Sequence, residues 1–185
     1  MSDFWVFGYG SLMWRPGFAH VEAVPARLAG AHRALCVYSW FHRGTQERPG
    51  LVLGLDVGGA CLGLAFRVRA EDRDSVIAYL RERELVTSVY REVWRPVSLI
   101  GKAARRVSAL AYLVDRSHVQ YAGRLPPERL LEMVRGGIGK SGANAEYVQN
   151  TVRNLRELGI RDPILEKLST ALAAADSPSG SERLG

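Results

Sequence analysis

Two glutamates near the end of one helix are the residues best placed for proton chemistry in this chain. The stretch from about Glu71 to Leu85 reads as a helix, opening with Glu71, Asp72 and Asp74 where the positive end of the helix dipole favours acids. Its apolar residues are Val76, Ile77 and Leu80. At about 100° per residue from Ile77, Leu80 lies at about −60° and Val76 at about −100°. Glu84 then falls at about −20°, inside the apolar face, and Glu82 at about 140°, on the opposite side. Glu84 is expected to point inward and Glu82 into solvent. An inward carboxylate either pairs with a cation or has its pKa raised by burial towards the range of a general base. Helical spacing alone leaves both readings open.

Other chemistries fail on spacing. Gly8-Tyr9-Gly10 follows a strand as a dinucleotide fingerprint does, but Met13 occupies the third glycine position. Gly139-Lys140-Ser141 has the form of a P-loop ending, yet Val134 stands where the first glycine belongs. His20, His32, His42 and His118 show no metal-ligand spacing, so no metal is expected. Ser11 follows glycine but precedes Leu12, so there is no Gly-x-Ser-x-Gly elbow and no support for a Ser-His-Asp hydrolase. Cys36 and Cys61 make no Cys-x-x-Cys pair and read as two buried thiols in a reducing compartment.

The elements that must position these residues divide into a strand-rich first half and a helical second half. Phe4 to Phe7 reads as a strand closing at Gly8, followed by strands over Arg27 to Tyr38, Leu51 to Val57 and Cys61 to Arg69. Gly58-Gly59 between the last two suggests a hairpin. Glu92 to Ile100 and Val107 to Val114 form a second expected pair. Helices are expected over Pro127 to Val134, Asn144 to Leu158 and from Asp162-Pro163, where Asp caps and Pro takes the first turn. Short strands with one helix among them predict a small twisted sheet or closed barrel.

The 185 residues, 47% hydrophobic and 24% charged, suit one globular domain, placed at 1–175 with a disordered tail over 176–185. The start, Met1-Ser2-Asp3-Phe4-Trp5, has no basic leader, and apolar stretches stop short of the roughly 18 residues of a membrane span. A cytoplasmic protein without a membrane partner is expected. The net charge is +6, and all but Lys102, Lys140 and Lys167 of the 25 basic residues are arginines. They are scattered, the richest cluster being Lys102, Arg105 and Arg106, so no nucleic-acid partner is expected. An anionic small substrate explains the charge as well as compositional habit does.

The segment Trp5-Val6-Phe7-Gly8-Tyr9-Gly10-Ser11-Leu12-Met13-Trp14 closely resembles the N-terminal signature of the ChaC-like γ-glutamylcyclotransferases, which degrade glutathione. Arg48-Pro49-Gly50-Leu51-Val52 and Gly63-Leu64-Ala65-Phe66-Arg67 resemble the family's next segments in order. Tyr79-Leu80-Arg81-Glu82-Arg83-Glu84 matches the helix end that carries the family's catalytic glutamate, with Tyr90 a few residues on. Gly139-Lys140-Ser141-Gly142-Ala143-Asn144-Ala145-Glu146-Tyr147 resembles its glycine-asparagine-tyrosine signature. The resemblance implies an α+β fold, a small mixed or antiparallel β-barrel with flanking helices and a helical C-terminal part.

It also implies a reaction. The α-amino group of the substrate attacks its own γ-carbonyl, forming 5-oxoproline and, from glutathione, releasing Cys-Gly. Such chemistry needs no cofactor, because the nucleophile belongs to the substrate. The resemblance places the base at Glu84, the carboxylate that helical spacing also selects. It places the γ-glutamyl unit on Val6, Phe7, Gly8, Tyr9, Gly10 and Ser11, with Leu12 closing a glycine turn whose N–H groups can meet an oxyanion or carboxylate. Tyr90 and Tyr147 are candidate hydroxyl donors, and the loop Tyr38 to Gly44 is a further candidate. One departure stands out: several members have Gly-Gly-Tyr after the glutamate, where this chain has Val86-Thr87-Ser88-Val89-Tyr90. Another γ-glutamyl amino acid or amine as substrate, or a non-catalytic binding domain, are the alternatives. Oligomeric state is not encoded in any of these motifs.

Overall fold

The computed structural model describes residues 2–101 and 104–176. Five strands, β1 (Phe4–Gly8), β2 (Glu22–Ser39), β3 (Gly50–Val68), β4 (Tyr90–Leu99) and β5 (Arg106–Val114), close into a barrel in the order β1-β3-β2-β4-β5. Pairing is antiparallel between β1 and β3 and between β2 and β4. It is also antiparallel between β4 and β5, and parallel between β5 and β1, where Trp5 meets Ala109 and Val6 meets Leu110. The fold is therefore the mixed α+β barrel expected.

All five residues of β1 are buried. A strand covered on both faces has no polar side to alternate with, which is why its sequence is an unbroken apolar run ending in glycine. One cover is α1 (Arg73–Glu84): its Val76 and Leu80 share a core cluster with Phe4, Val6, Leu12, Phe66, Leu110 and Tyr112. A 3-10 turn over Ala70–Asp72 leads into α1.

The hairpin expected at Gly58-Gly59 does not form. The two apolar runs are one continuous strand, β3, with Gly58 and Gly59 at φ of 102° and 69° inside it. Only glycine takes those angles without steric cost, so the pair that signals a turn here permits an irregular stretch within a long strand. Likewise β2 begins at Glu22, five residues before the expected start.

Contacts group the expected 1–175 domain into two units: residues up to Tyr38 with Val52–Arg124, and Ser39–Leu51 with the chain from Leu125 onward. The first holds most of the barrel and α1. The second holds α2 (Pro127–Gly136), the two-residue strands β6 (Ile138–Gly139) and β7 (Gly142–Ala143), α3 (Asn144–Glu157) and α4 (Pro163–Asp176). Asp162 caps α4 as expected, its Oδ1 accepting the Leu165 N–H at 3.2 Å. The expected tail reaches the described residues only at Asp176, the end of α4, and the rest of it lies outside them, as does Lys102. Among the described residues no helix is long and apolar enough to cross a membrane.

Candidate active site

Glu84 is the last residue of α1, whose closing bond runs from the Leu85 N–H to the Arg81 carbonyl at 2.9 Å. Its side chain is 18% exposed, whereas Glu82 is open to solvent. Burial pushes the Glu84 carboxyl above the usual glutamate range, and the adjacent Arg83 charge pulls it back down. The Arg83 Nε lies 3.2 Å from Oε1. Both readings of the sequence thus hold together: an inward carboxylate with a raised pKa, and an ion pair with an arginine.

The glycine turn follows β1 directly. The Met13 N–H donates to the Gly10 carbonyl at 2.9 Å, forming a 3-10 turn over Ser11–Met13. The first N–H groups of such a turn have no carbonyl one turn earlier to bond, which leaves them available to a ligand oxygen. Val6, Phe7, Gly8, Tyr9, Gly10 and Leu12 are buried, and Ser11 is exposed. Val6 and Leu12 belong to the core, so their part in any site is to hold the backbone. Gly8 is packed: a Cβ there would lie 3.2 Å from both Leu12 and Phe66. At Gly10 a Cβ would meet only Leu53, at 3.5 Å, so the space beside this residue is open.

Two arginines hold the turn. Arg33 of β2 is buried and donates from Nε to the Tyr9 carbonyl and from a terminal nitrogen to the Leu62 carbonyl, each at 2.6 Å. Arg83 donates to Ser11 Oγ at 2.9 Å and to the Arg15 carbonyl at 2.7 Å. Helical spacing gave no hint of either role, because both acceptor sets come from distant parts of the chain.

Tyr90 opens β4, and its hydroxyl donates to the Leu53 carbonyl at 2.7 Å. Leu53 is the residue facing Gly10, so Tyr90 and the turn meet the same strand position. A network that the motifs did not reveal joins α1 to β4 and β5. Arg81 makes a two-point ion pair with Glu92, at 2.8 and 2.9 Å, and Glu92 accepts the Tyr112 hydroxyl at 3.2 Å. Burial, followed by the charges of Glu92 and Glu84, drives the Tyr112 phenol well above its usual range, so it stays protonated.

Tyr147 belongs to the second unit, where the Arg43 guanidinium lies 5.3 Å from its ring centre. Arg43 also donates to the Ser141 carbonyl at 2.5 Å, and His42 Nδ1 shares a hydrogen bond with Ser141 Oγ at 2.9 Å. The loop Tyr38 to Gly44 and the Gly139 to Tyr147 signature are therefore in direct contact through these residues. Asn144, the asparagine of that signature, is fully buried.

This architecture is that of a solved crystal structure of a yeast γ-glutamyl cyclotransferase specific to glutathione: the TM-score is 0.83, covering 94% of this chain and 97% of that one at 20% identity. The family profile described as "ChaC-like protein" matches residues 4–175. The chain belongs to the ChaC-like family. It is 33% identical over 184 residues to the glutathione-specific γ-glutamylcyclotransferase of Escherichia coli, covering 98% of this chain and 79% of that protein. It is 34% identical over 148 residues to the human glutathione-specific γ-glutamylcyclotransferase 1, spanning 78% of this chain and 66% of the human one.

Proposed function

We propose that this chain is a glutathione-specific γ-glutamylcyclotransferase of the cytoplasm, acting on its small-molecule substrate without a cofactor. The observation that carries the reading is Glu84: a shielded carboxylate with a raised pKa at a helix end, tied through Arg83 to the glycine turn at Ser11. The relatives named for this activity, the Escherichia coli protein aligned over 98% of this chain among them, support the substrate class.

Glu84 accepts a proton from the substrate's α-ammonium group. The freed amine attacks the γ-carbonyl carbon, and the carbonyl oxygen becomes an oxyanion facing the N–H groups of the Gly8 to Leu12 turn. The C–N bond to cysteine then breaks, and Glu84 returns its proton to the leaving amine. The cationic ring nitrogen gives up its second proton through the same carboxylate to the departing amine, so the products are 5-oxoproline with one N–H and Cys-Gly with a protonated amine. The pocket's contribution is to fold the flexible glutamyl chain so that amine and carbonyl lie in ring-closing contact. Tyr90, whose hydroxyl meets the strand position beside Gly10, serves as a wall next to the turn in this reading.

Incubation with glutathione, followed by detection of 5-oxoproline and Cys-Gly, tests it. Turnover of other γ-glutamyl amides but not glutathione would keep the chemistry and replace the substrate. Absence of 5-oxoproline from any γ-glutamyl compound would overturn the reading.

A further inference from the structure

We propose that Arg83 is the positioning residue of this site, a single guanidinium that clamps the Ser11 to Pro16 turn onto the end of α1 while it orients the Glu84 carboxylate. The inference rests on the reading of Glu84 as the base.

The geometry is that of a fork with every tine used. One terminal nitrogen donates to the Arg15 carbonyl at 2.7 Å, to the Tyr79 hydroxyl at 3.0 Å and, more weakly, to the Pro16 carbonyl at 3.4 Å. The other terminal nitrogen donates to Ser11 Oγ at 2.9 Å. The Nε faces Glu84 Oε1 at 3.2 Å. Three structural features (the turn, the helix and the base) thus meet on one planar cation. A lysine has one nitrogen on a flexible stem and cannot span these acceptors together.

The turn approaches α1 on a second line as well. Gly17, at φ 73°, lies against the Tyr79 hydroxyl so closely that a Cβ would collide with it. Tyr79 is thus held between the turn and Arg83, and the segment after β1 is fixed to α1 at both ends of the contact.

The charged surroundings of Glu84 make Arg83 decisive for its ionisation too. The group facing it from β5 is Tyr112, a neutral phenol engaged with Glu92 of β4, and the Arg81 cation beyond is paired with that Glu92. Arg83 is the cation in ion-pair contact with Glu84. Its removal leaves burial unopposed, so the carboxylate holds its proton to higher pH.

The experiment compares Arg83→Met, Arg83→Lys and Ser11→Ala with the parent protein. In Arg83→Met the acid limb of kcat/KM moves up by about one pH unit and KM for glutathione rises about tenfold. Arg83→Lys restores the limb, because the charge returns, but not the KM. Ser11→Ala raises KM alone. Backbone amide exchange over residues 11–15 accelerates in both Arg83 variants, a readout that needs no turnover. A folded Arg83→Met protein with an unmoved limb overturns the orienting role. Parent-like KM in both Arg83→Lys and Ser11→Ala, or unchanged amide exchange in Arg83→Lys, overturns the clamp even where the methionine variant does not fold. Failure of the base reading shows itself separately, as a Glu84→Gln protein that still turns over glutathione.

Discussion

The side chain of Asn144 pairs with Leu51 as a neighbouring strand would: its Oδ1 accepts the Leu51 N–H at 2.7 Å and its Nδ2 donates to the Leu51 carbonyl at 2.8 Å. A buried asparagine that satisfies two backbone groups 93 residues away fixes the entry to β3 and the start of α3 in one contact. Asn144→Ala strands both groups in a buried site, and each buried unsatisfied group costs about 1–3 kcal/mol. A drop of several degrees in the melting temperature is expected, with glutathione KM measured alongside. An unchanged melting curve would mean that water replaces the amide.

Glu84→Gln is expected to lower turnover by about 10² to 10⁴-fold with the fold intact, since the amide keeps the shape and removes the base. Glu82→Gln, on the exposed side of α1, should leave turnover within about twofold of the parent. Steady-state kinetics with a circular dichroism control separates the two positions.

The pH profile follows from the direction of the Glu84 shift. Burial raises its pKa above the ordinary 4.5, so the proton-accepting form is lost at a higher pH than for a free glutamate. The acid limb of kcat/KM should therefore lie above 4.5 and vanish in Glu84→Gln. The same shift has a stability consequence. A carboxylate with a raised folded-state pKa favours the fold below its unfolded pKa and loses that contribution as pH rises through the folded value. Near neutral pH, Glu84→Gln should melt higher than the parent, whereas at acid pH the gap should close.

Gly10→Val should cripple turnover, with a smaller loss of stability than at a glycine whose Cβ would collide with backbone. Gly10 sits at φ −134°, outside the left-handed region, and a Cβ would make only an ordinary contact with Leu53 at 3.5 Å. The damage falls on the approach of substrate to the turn's N–H groups. Gly63→Ala is the contrasting case, because its Cβ would collide with the Gly8 carbonyl. That variant should lose stability first. Melting curves and glutathione kinetics on both proteins check the distinction.

What could be read in the sequence follows a physical division. The inward Glu84 was legible because helical periodicity is local, and the first strand because an unbroken apolar run needs cover on both faces. The Gly58-Gly59 pair misled, since glycine marks a need for unusual backbone angles without saying whether the chain reverses there. Arg33 and Arg83 could not be assigned at all. Apart from the Tyr79 hydroxyl on the same helix, the acceptors named for them are backbone carbonyls and the Ser11 hydroxyl brought close by topology, and a carbonyl has no sequence signature. The asparagine of the C-terminal signature was visible as a motif, but its bond to Leu51 was not.

The parallel pairing of β1 with β5 has a consequence for how the protein is made. Trp5 and Val6 reach their partners Ala109 and Leu110 across more than half of the chain, a high-contact-order closure that pays loop entropy before any contact rewards it. A nascent chain stalled before residue 109 on the ribosome cannot close the barrel, so its aromatic first strand stays short of a neighbour and open to chaperones. Catalytic competence arrives late in synthesis, although the turn that would receive the substrate is among the first segments translated.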